Sequence, residues 1–230
     1  MFGSPVRNAV DSVDQTCGVL PTSQSRHSSL WTYYQRRAPH YAGGVEGAHA
    51  YFAGLGVDVD LEALRAELEE VEERLGGLDP VPFLDVGAGP GVFTGIVPGT
   101  GLALDQSDAA LQRLRTVLAA VPVACGDATA LPVRRKSVIR LFAGHLYGHL
   151  EPPEREAFLT EARRVADELV ILDSGRPLDA QAEEWQSRRL DDGSTYTVYK
   201  RHLTVEELAR EIGGEPLFGG RYYVLARSVA

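Results

Sequence analysis

Cysteine is nearly absent. The 230-residue chain has two, Cys17 and Cys125, far apart and outside any CxxC pair. That excludes a thiolate metal site or a disulfide framework as the expected organising feature, and a reducing compartment fits. No run approaches the roughly 20 apolar residues of a membrane-spanning helix. The first 30 residues hold no apolar stretch of the roughly 7–15 residues that a secretion signal needs. A cytoplasmic location is expected. An excess of positive charge is missing too: 23 Lys and Arg stand against 32 Asp and Glu, a formal net charge of −9. A protein that grips phosphates shows a basic face, so no nucleic-acid partner is expected, and no membrane partner. The clusters VRRK (133–136) and YQRR (34–37) read as solvated surface. Neither an internal repeat nor a low-complexity block occurs.

What is present is the composition of a globular domain, 44% hydrophobic and 24% charged, sufficient to bury a sizeable core. Residues 1–29 are polar with scattered Ser, Pro and Gly, and a poorly ordered tail is expected there. The composition then changes at LWTYYQRRAPHYAG (30–43), where Trp31, Tyr33, Tyr34 and Tyr41 sit among arginines. These aromatics cannot all face one way, so some are expected to cover a cleft. Leucines at 61, 64, 68 and 75 with Val71 between them predict a helix ending at Gly76-Gly77. Residues 30–79 are therefore expected to form a helical lid, and residues 80–230 the main domain.

From residue 80 strands and helices alternate. Strands are predicted at 82–88, 99–105, 121–127, 137–144, 167–175 and 221–228. Helices are predicted from Gly91, over 108–121, over 152–166 after Pro152, and over 204–214, where Thr204 and Glu207 form a capping box. The segment 182–201, with Trp185, Arg188, Arg189, Tyr196, Tyr199 and Lys200, reads either as a hairpin or helix on the sheet edge or as a wall for an aromatic or acidic substrate. Alternation with short loops predicts an α/β fold with a mostly parallel sheet covered on both faces. Ligands bind at the carboxyl ends of such strands.

The loop after the first strand reads FLDVGAGPGVFTG (83–95), with glycine at 87, 89 and 91. Glycine lets a backbone take positive φ and lets a ligand approach closely. A dinucleotide fingerprint wants G-x-G-x-x-G, and Val92 occupies the third glycine's place. Asp85, two residues before Gly87, suits a ligand carrying a positive group and not a pyrophosphate. Asp105 ends the second strand, where an acid can accept from both hydroxyls of a ribose. Asp127 ends the third, where a carboxylate can accept from an adenine amino group. Three such acids fit a nucleoside with a cationic amine and no phosphate.

The ordered pattern LDVGAGPG, LALDQS, GDATALP and LFAGHLYGHL resembles the class I S-adenosylmethionine-dependent methyltransferases of small-molecule type over roughly residues 80–175. YYQRRAPHY resembles their N-terminal cap. The resemblance implies a Rossmann-like, seven-stranded, mostly parallel sheet whose last strand, RYYVLARS, is antiparallel. It implies S-adenosylmethionine as cofactor, with Gly87, Gly89 and Gly91 around its methionine part and Asp85 on the ammonium side. Asp105 and Gln106 would meet the ribose, Asp127 and Ala128 the adenine, and Gly144 and His145 would flank the cofactor under Tyr34 of the lid. The departure from the pattern is at the fourth strand, where Lys136-Ser137 replaces an aromatic–acid pair and Arg140 lies within the strand.

A methyl acceptor at oxygen or nitrogen wants a base, for which His145 and Tyr147 are the candidates. His145 and His149 have a metal-compatible spacing, but Gly148 interrupts and no third ligand lies near, so no metal is expected; His149 reads as a core or supporting residue. The expected function is methyl transfer to a small molecule, compatible with a homodimer. The alternatives are a non-catalytic S-adenosylmethionine-binding protein and a methyltransferase of macromolecules; a dehydrogenase is disfavoured by Val92 and Asp85.

Overall fold

The computed structural model describes residues 25–38, 43–54, 58–176 and 181–229. Three helices come first: α1 (Ser25–Arg37), α2 (Gly44–Gly54) and α3 (Leu61–Gly76). Helix α1 begins inside the stretch expected to be a tail. Residues 1–24 and Tyr41 lie outside the described residues. The Asp60 side chain caps α3 by accepting from the backbone of Glu62 and Ala63. Its stripe of Leu64, Leu68, Val71 and Leu75 is buried, as the leucine spacing predicts, while Leu61 stays exposed.

The rest of the chain runs β1 (Phe83–Val86), β2 (Gly101–Asp105), α4 (Asp108–Val117), β3 (Val123–Cys125), β4 (Arg140–Gly144), a 3₁₀ turn (Tyr147–His149), α5 (Pro152–Val165) and β5 (Glu168–Ser174). Then come β6 (Glu183–Arg189), β7 (Thr195–Arg201), α6 (Val205–Ile212), β8 (Glu215–Gly219) and β9 (Tyr223–Val229). The main sheet has the order β3-β2-β1-β4-β5-β9-β8. Its first five strands are parallel, β9 runs antiparallel to β5, and β8 runs antiparallel to β9. This is the expected seven-stranded, mostly parallel sheet. The strand β8 was not located by pattern: Pro216 and Gly219 interrupt a five-residue segment that is half-exposed.

Side chains alternate across the sheet. Leu169 and Ile171 of β5 join Phe158, Val165, Leu208 and Ile212 on one face. Val170 and Leu172 join the α3 stripe, Phe83 and Phe142 on the other. Residues 182–201 form the hairpin β6–β7, a two-stranded sheet of its own. Arg140, the departure in the fourth strand, is a structural residue. It is buried at the opposite end from the strands' carboxyl edge, with Nε 2.6 Å from Glu168 Oε2 and a guanidinium nitrogen donating to the Asp79 carbonyl.

Two expectations are corrected. No helix follows the glycine loop: residues 92–96 are turns, with the N–H groups of Ile96 and Val97 both donating to Phe93 O. Gly91, Gly95 and the Pro98-Gly99 pair stop a helix from propagating there. The loop therefore gains nothing from a helix dipole. Cys125 is disulfide-bonded, and the chain's other cysteine, Cys17, lies outside the described residues.

Candidate functional site

The carboxyl ends of β1, β2, β3 and β4 open onto one cavity, walled by α1, α2 and α3. Gly87, Gly89 and Gly91 all have positive φ, at 73°, 55° and 88°. The N–H groups of Gly87 and Ala88 donate to Leu104 O, and that of Gly89 to Asp105 Oδ2 at 2.8 Å. The loop is thus fastened to β2 before any ligand arrives. A Cβ on Gly89 would meet no protein atom within 4 Å. It would stand in the cavity that Gly89 lines, so bare backbone there leaves room for a ligand.

Asp85 is 2% exposed. Its Oδ2 accepts from Thr94 Oγ1 at 2.6 Å, and its Oδ1 is buried with no partner. Burial raises its pKa to about 7, opposed by the Thr94 hydrogen bond. An orphaned buried carboxylate oxygen is costly unless something pairs with it. Burial also raises Asp105, against backbone N–H groups of Ser107 and Gly89 that favour its ionised form. Asp127 Oδ1 accepts from the backbone and hydroxyl of Thr129. That closes a turn and keeps Asp127 and Ala128 at the cavity wall.

Tyr34, Gln106, Gly144 and His145 line the same cavity. His145 sits at φ 54°, its ring between Phe93 and Tyr223 with centroids 5.8 and 5.7 Å away. Burial lowers its pKa to about 4, so it is a neutral imidazole at physiological pH. Tyr147 is not brought to the site. Its side chain is 1% exposed, packs on Phe158 in the core, and donates its hydroxyl to Glu211 Oε2 at 2.9 Å. Burial and the Glu211 carboxylate both hold its pKa above the ordinary value. As a base for a substrate in this cavity it is excluded by position. His149, expected as a core or supporting residue, lines the cavity.

Helix α1 grips both sides of the opening. Trp31 Nε1 donates to Gln106 O at 3.1 Å. Gln35 Oε1 accepts from Ser107 Oγ and from the backbone of Ala109, each at 3.0 Å, and so caps the N-terminus of α4 from another helix. On the other side Arg36 reaches Asp192 and Tyr196 of the hairpin, and the Tyr33 and Tyr196 rings lie 5.5 Å apart.

Two features escaped the sequence reading. Gln35 carries no local signal, because its partners are more than 70 residues away. The second is a buried pair. Lys200 Nζ of β7 donates to Asp173 Oδ1 of β5 at 2.7 Å, and both side chains are 0% exposed. Asp173 ends its strand as Asp85 and Asp105 end theirs, which could have marked it. Nothing in TYTVYKR marks Lys200 as buried. Among the described residues no acid–histidine–cysteine group could hold a metal ion, and no helix is long and apolar enough to cross a membrane.

Residues 83–168 match the model of a family described as a methyltransferase domain. No curated protein sequence matches the chain significantly. Among solved structures, a DhpI–SAM–HEP complex is similar at a TM-score of 0.68 and 19% identity, covering 90% of this chain and 98% of that one. The PH0226 protein of Pyrococcus horikoshii OT3 is similar at 0.58 and 15%, covering 86% and 98%. The glycopeptide N-methyltransferase MtfA, complexed with sinefungin, is similar at 0.53 and 16%, covering 82% and 94%. At these identities the likeness is one of fold.

Proposed function

We propose that this chain is a class I S-adenosylmethionine-dependent methyltransferase, a reading supported by its matched methyltransferase domain and its fold, and that it moves a methyl group from S-adenosylmethionine to a small-molecule acceptor. The observation that carries the reading is Asp85. A fully buried carboxylate oxygen without a partner, beneath a glycine loop that leaves ligand space, fits the ammonium of the methionine part. An ammonium within hydrogen-bond reach would favour the ionised form that burial disfavours.

The other residues take complementary roles. Asp105 accepts one backbone N–H on each oxygen and retains lone pairs for the ribose hydroxyls, beside Gln106. Asp127 presents Oδ2 to the adenine amino group next to Ala128. Gly144 and the neutral His145 would flank the cofactor. Residues 30–79 act as a lid on the domain of residues 80–230: Tyr34, Arg37 and Phe52 close the cavity and keep water out. S-Adenosylmethionine supplies a methyl group already activated on a sulfonium sulfur, so the protein's task is alignment and desolvation of the acceptor. A small-molecule acceptor fits a cavity lined by residues of three helices, and the net charge of −9 argues against a nucleic acid.

Calorimetric titration with S-adenosylmethionine and S-adenosylhomocysteine tests this. Micromolar binding of either is expected. A folded sample that binds neither would overturn the reading.

A further inference from the structure

His149 closes the 3₁₀ turn after β4. Its Nδ1 lies 2.9 Å from the Tyr199 carbonyl oxygen of the hairpin. A carbonyl oxygen only accepts, so Nδ1 carries the proton and Nε2 keeps its lone pair. Nε2 has no hydrogen-bond partner among the described residues, yet it is not among the buried polar atoms left unpartnered. It is open to the cavity that His149 lines with Tyr34, Leu146 and Leu150. The Tyr34 ring meets the imidazole edge-on at 6.3 Å.

The ring is held from below by the buried pair. Asp173 Oδ2 accepts from Gly148 N at 2.7 Å while Oδ1 takes Lys200 Nζ. A Cβ on Gly148 would lie 2.6 Å from Arg201 O and 2.8 Å from Lys200 Nζ, so the turn passes too close for any other residue. Lys200, Arg188 and Asp173 are the charges that face the imidazole. Burial first, then Lys200, holds its pKa well below the usual value. The lone pair is therefore available throughout the physiological range.

We propose that His149 Nε2 accepts the proton of the methyl acceptor, and hence that the acceptor presents a hydroxyl or amino hydrogen at the Tyr34–His149 end of the cavity. This rests on the methyl-transfer reading above. The acceptor's oxygen or nitrogen lone pair forms the bond to the methyl carbon as the carbon–sulfur bond breaks, leaving its electron pair on sulfur. The O–H or N–H proton passes to Nε2 and leaves to water after product release. The positive charge lost at sulfur reappears on the imidazole, so the site's net charge is constant across the step. That offsets the environment's resistance to an imidazolium. Asp173 of β5, which accepts from the Gly148 N–H of that turn, supplies a fixed negative charge nearby.

The test begins with ¹⁵N-histidine NMR of the wild-type protein, the His149 signals being assigned with His149→Gln. The protein alone should show the Nδ1–H tautomer, and the Nε2–H tautomer would overturn the proposal. With saturating S-adenosylmethionine the His149 titration midpoint should lie below that with S-adenosylhomocysteine, because only the former carries the sulfonium charge. Equal midpoints would place the sulfur too far away and also overturn it. Methyl-labelled S-adenosylmethionine is then offered to a panel of phenols, hydroxy acids and primary amines. For an acceptor found there, His149→Gln should lower kcat at least a hundredfold with cofactor affinity unchanged. The variant's kcat should climb with pH as the acceptor ionises unaided, while the wild type stays flat. Equal turnover of the variant, or a product methylated at carbon, would sink the role of His149 alone. Failure of the folded wild type to bind either cofactor form would instead sink methyl transfer itself.

Discussion

Asp85 and Asp173 lie at the carboxyl ends of β1 and β5, two strands of one sheet with β4 between them, and both are essentially inaccessible to water. They differ only in company. Burial raises Asp85 to about 7, with one hydroxyl donor and an orphaned oxygen. Burial is again the largest single influence on Asp173, but the charge and hydrogen bond of Lys200, with His145 and His149 nearby, together outweigh it, and two backbone N–H groups complete its shell, so its pKa falls below the usual carboxylate range. A saturated buried acid is a structural joint. An unsaturated one, on the wall of a cavity, is a socket. The contrast separates scaffold from site without reference to any relative.

The widest way to break this comparison is to remove the joint's cation. Lys200→Met would leave Asp173 buried without its cation, a loss of about 3–5 kcal/mol. Thermal unfolding should fall by roughly 10 °C, and the Lys200→Met/Asp173→Asn double variant should recover much of it. A single variant as stable as wild type would mean that Asp173 does not depend on Lys200.

At the socket the sign should reverse. Asp85→Asn should weaken S-adenosylhomocysteine binding about 10- to 100-fold, as expected for losing a hydrogen bond to a charged group. It should also raise the melting temperature of the unliganded protein near pH 8. The folded-state pKa of Asp85 is raised from 3.8 to about 7. The native state then binds the extra proton between those values, and wild-type stability declines as pH rises through that window. The Asn variant lacks that decline. If it melts lower than wild type at pH 8, Asp85 is structural after all.

The same titration sharpens the point with no mutation. Below about pH 7, S-adenosylhomocysteine affinity should fall, approaching tenfold per pH unit, as Asp85 takes up its proton. 5′-Methylthioadenosine, which lacks the amino acid part, should bind with a flat profile. Parallel slopes for the two ligands would dissociate Asp85 from the ammonium. The smallest effect belongs to the lid. Gln35→Ala should cost about 0.5–1.5 kcal/mol, visible as a small drop in melting temperature and faster ligand dissociation in stopped flow. An unchanged dissociation rate would separate the α1 grip from ligand retention.

Much of the sheet was legible because strand-end chemistry is local. FLDVG, LALDQ and CGDAT each place an apolar run, an acid and a turn in sequence order, and β-strand periodicity does the rest. The register that aligns Asp85 with Ala103 and Phe142 follows from parallel pairing. What was not legible depends on partners distant in sequence. HLYGH reads as one motif, yet its turn sends Tyr147 into the core and His149 to the cavity, and that parting is set by Asp173 gripping Gly148. Arg140 looks like an intrusion until Glu168 is folded beside it. The missing helix after Gly91 was a local error, since Gly95 and Pro98-Gly99 were there to be read.

The two-sided hold of α1 sets a clock. One flank of the helix is latched to the turn after β2 through Gln35, the other to the hairpin through Arg36 and Tyr33. Each latch is only a few contacts, partly buried at Gln35 and exposed at Arg36, so local opening costs far less than unfolding. Leu30, Tyr34 and Arg37 of that helix wall the cavity, so on the proposed function spent cofactor and product would leave by the same opening. In a lid of that kind, turnover would count how often one short helix lets go, on the microsecond-to-millisecond scale of such motions, and its speed could be tuned with no change at the reacting atoms.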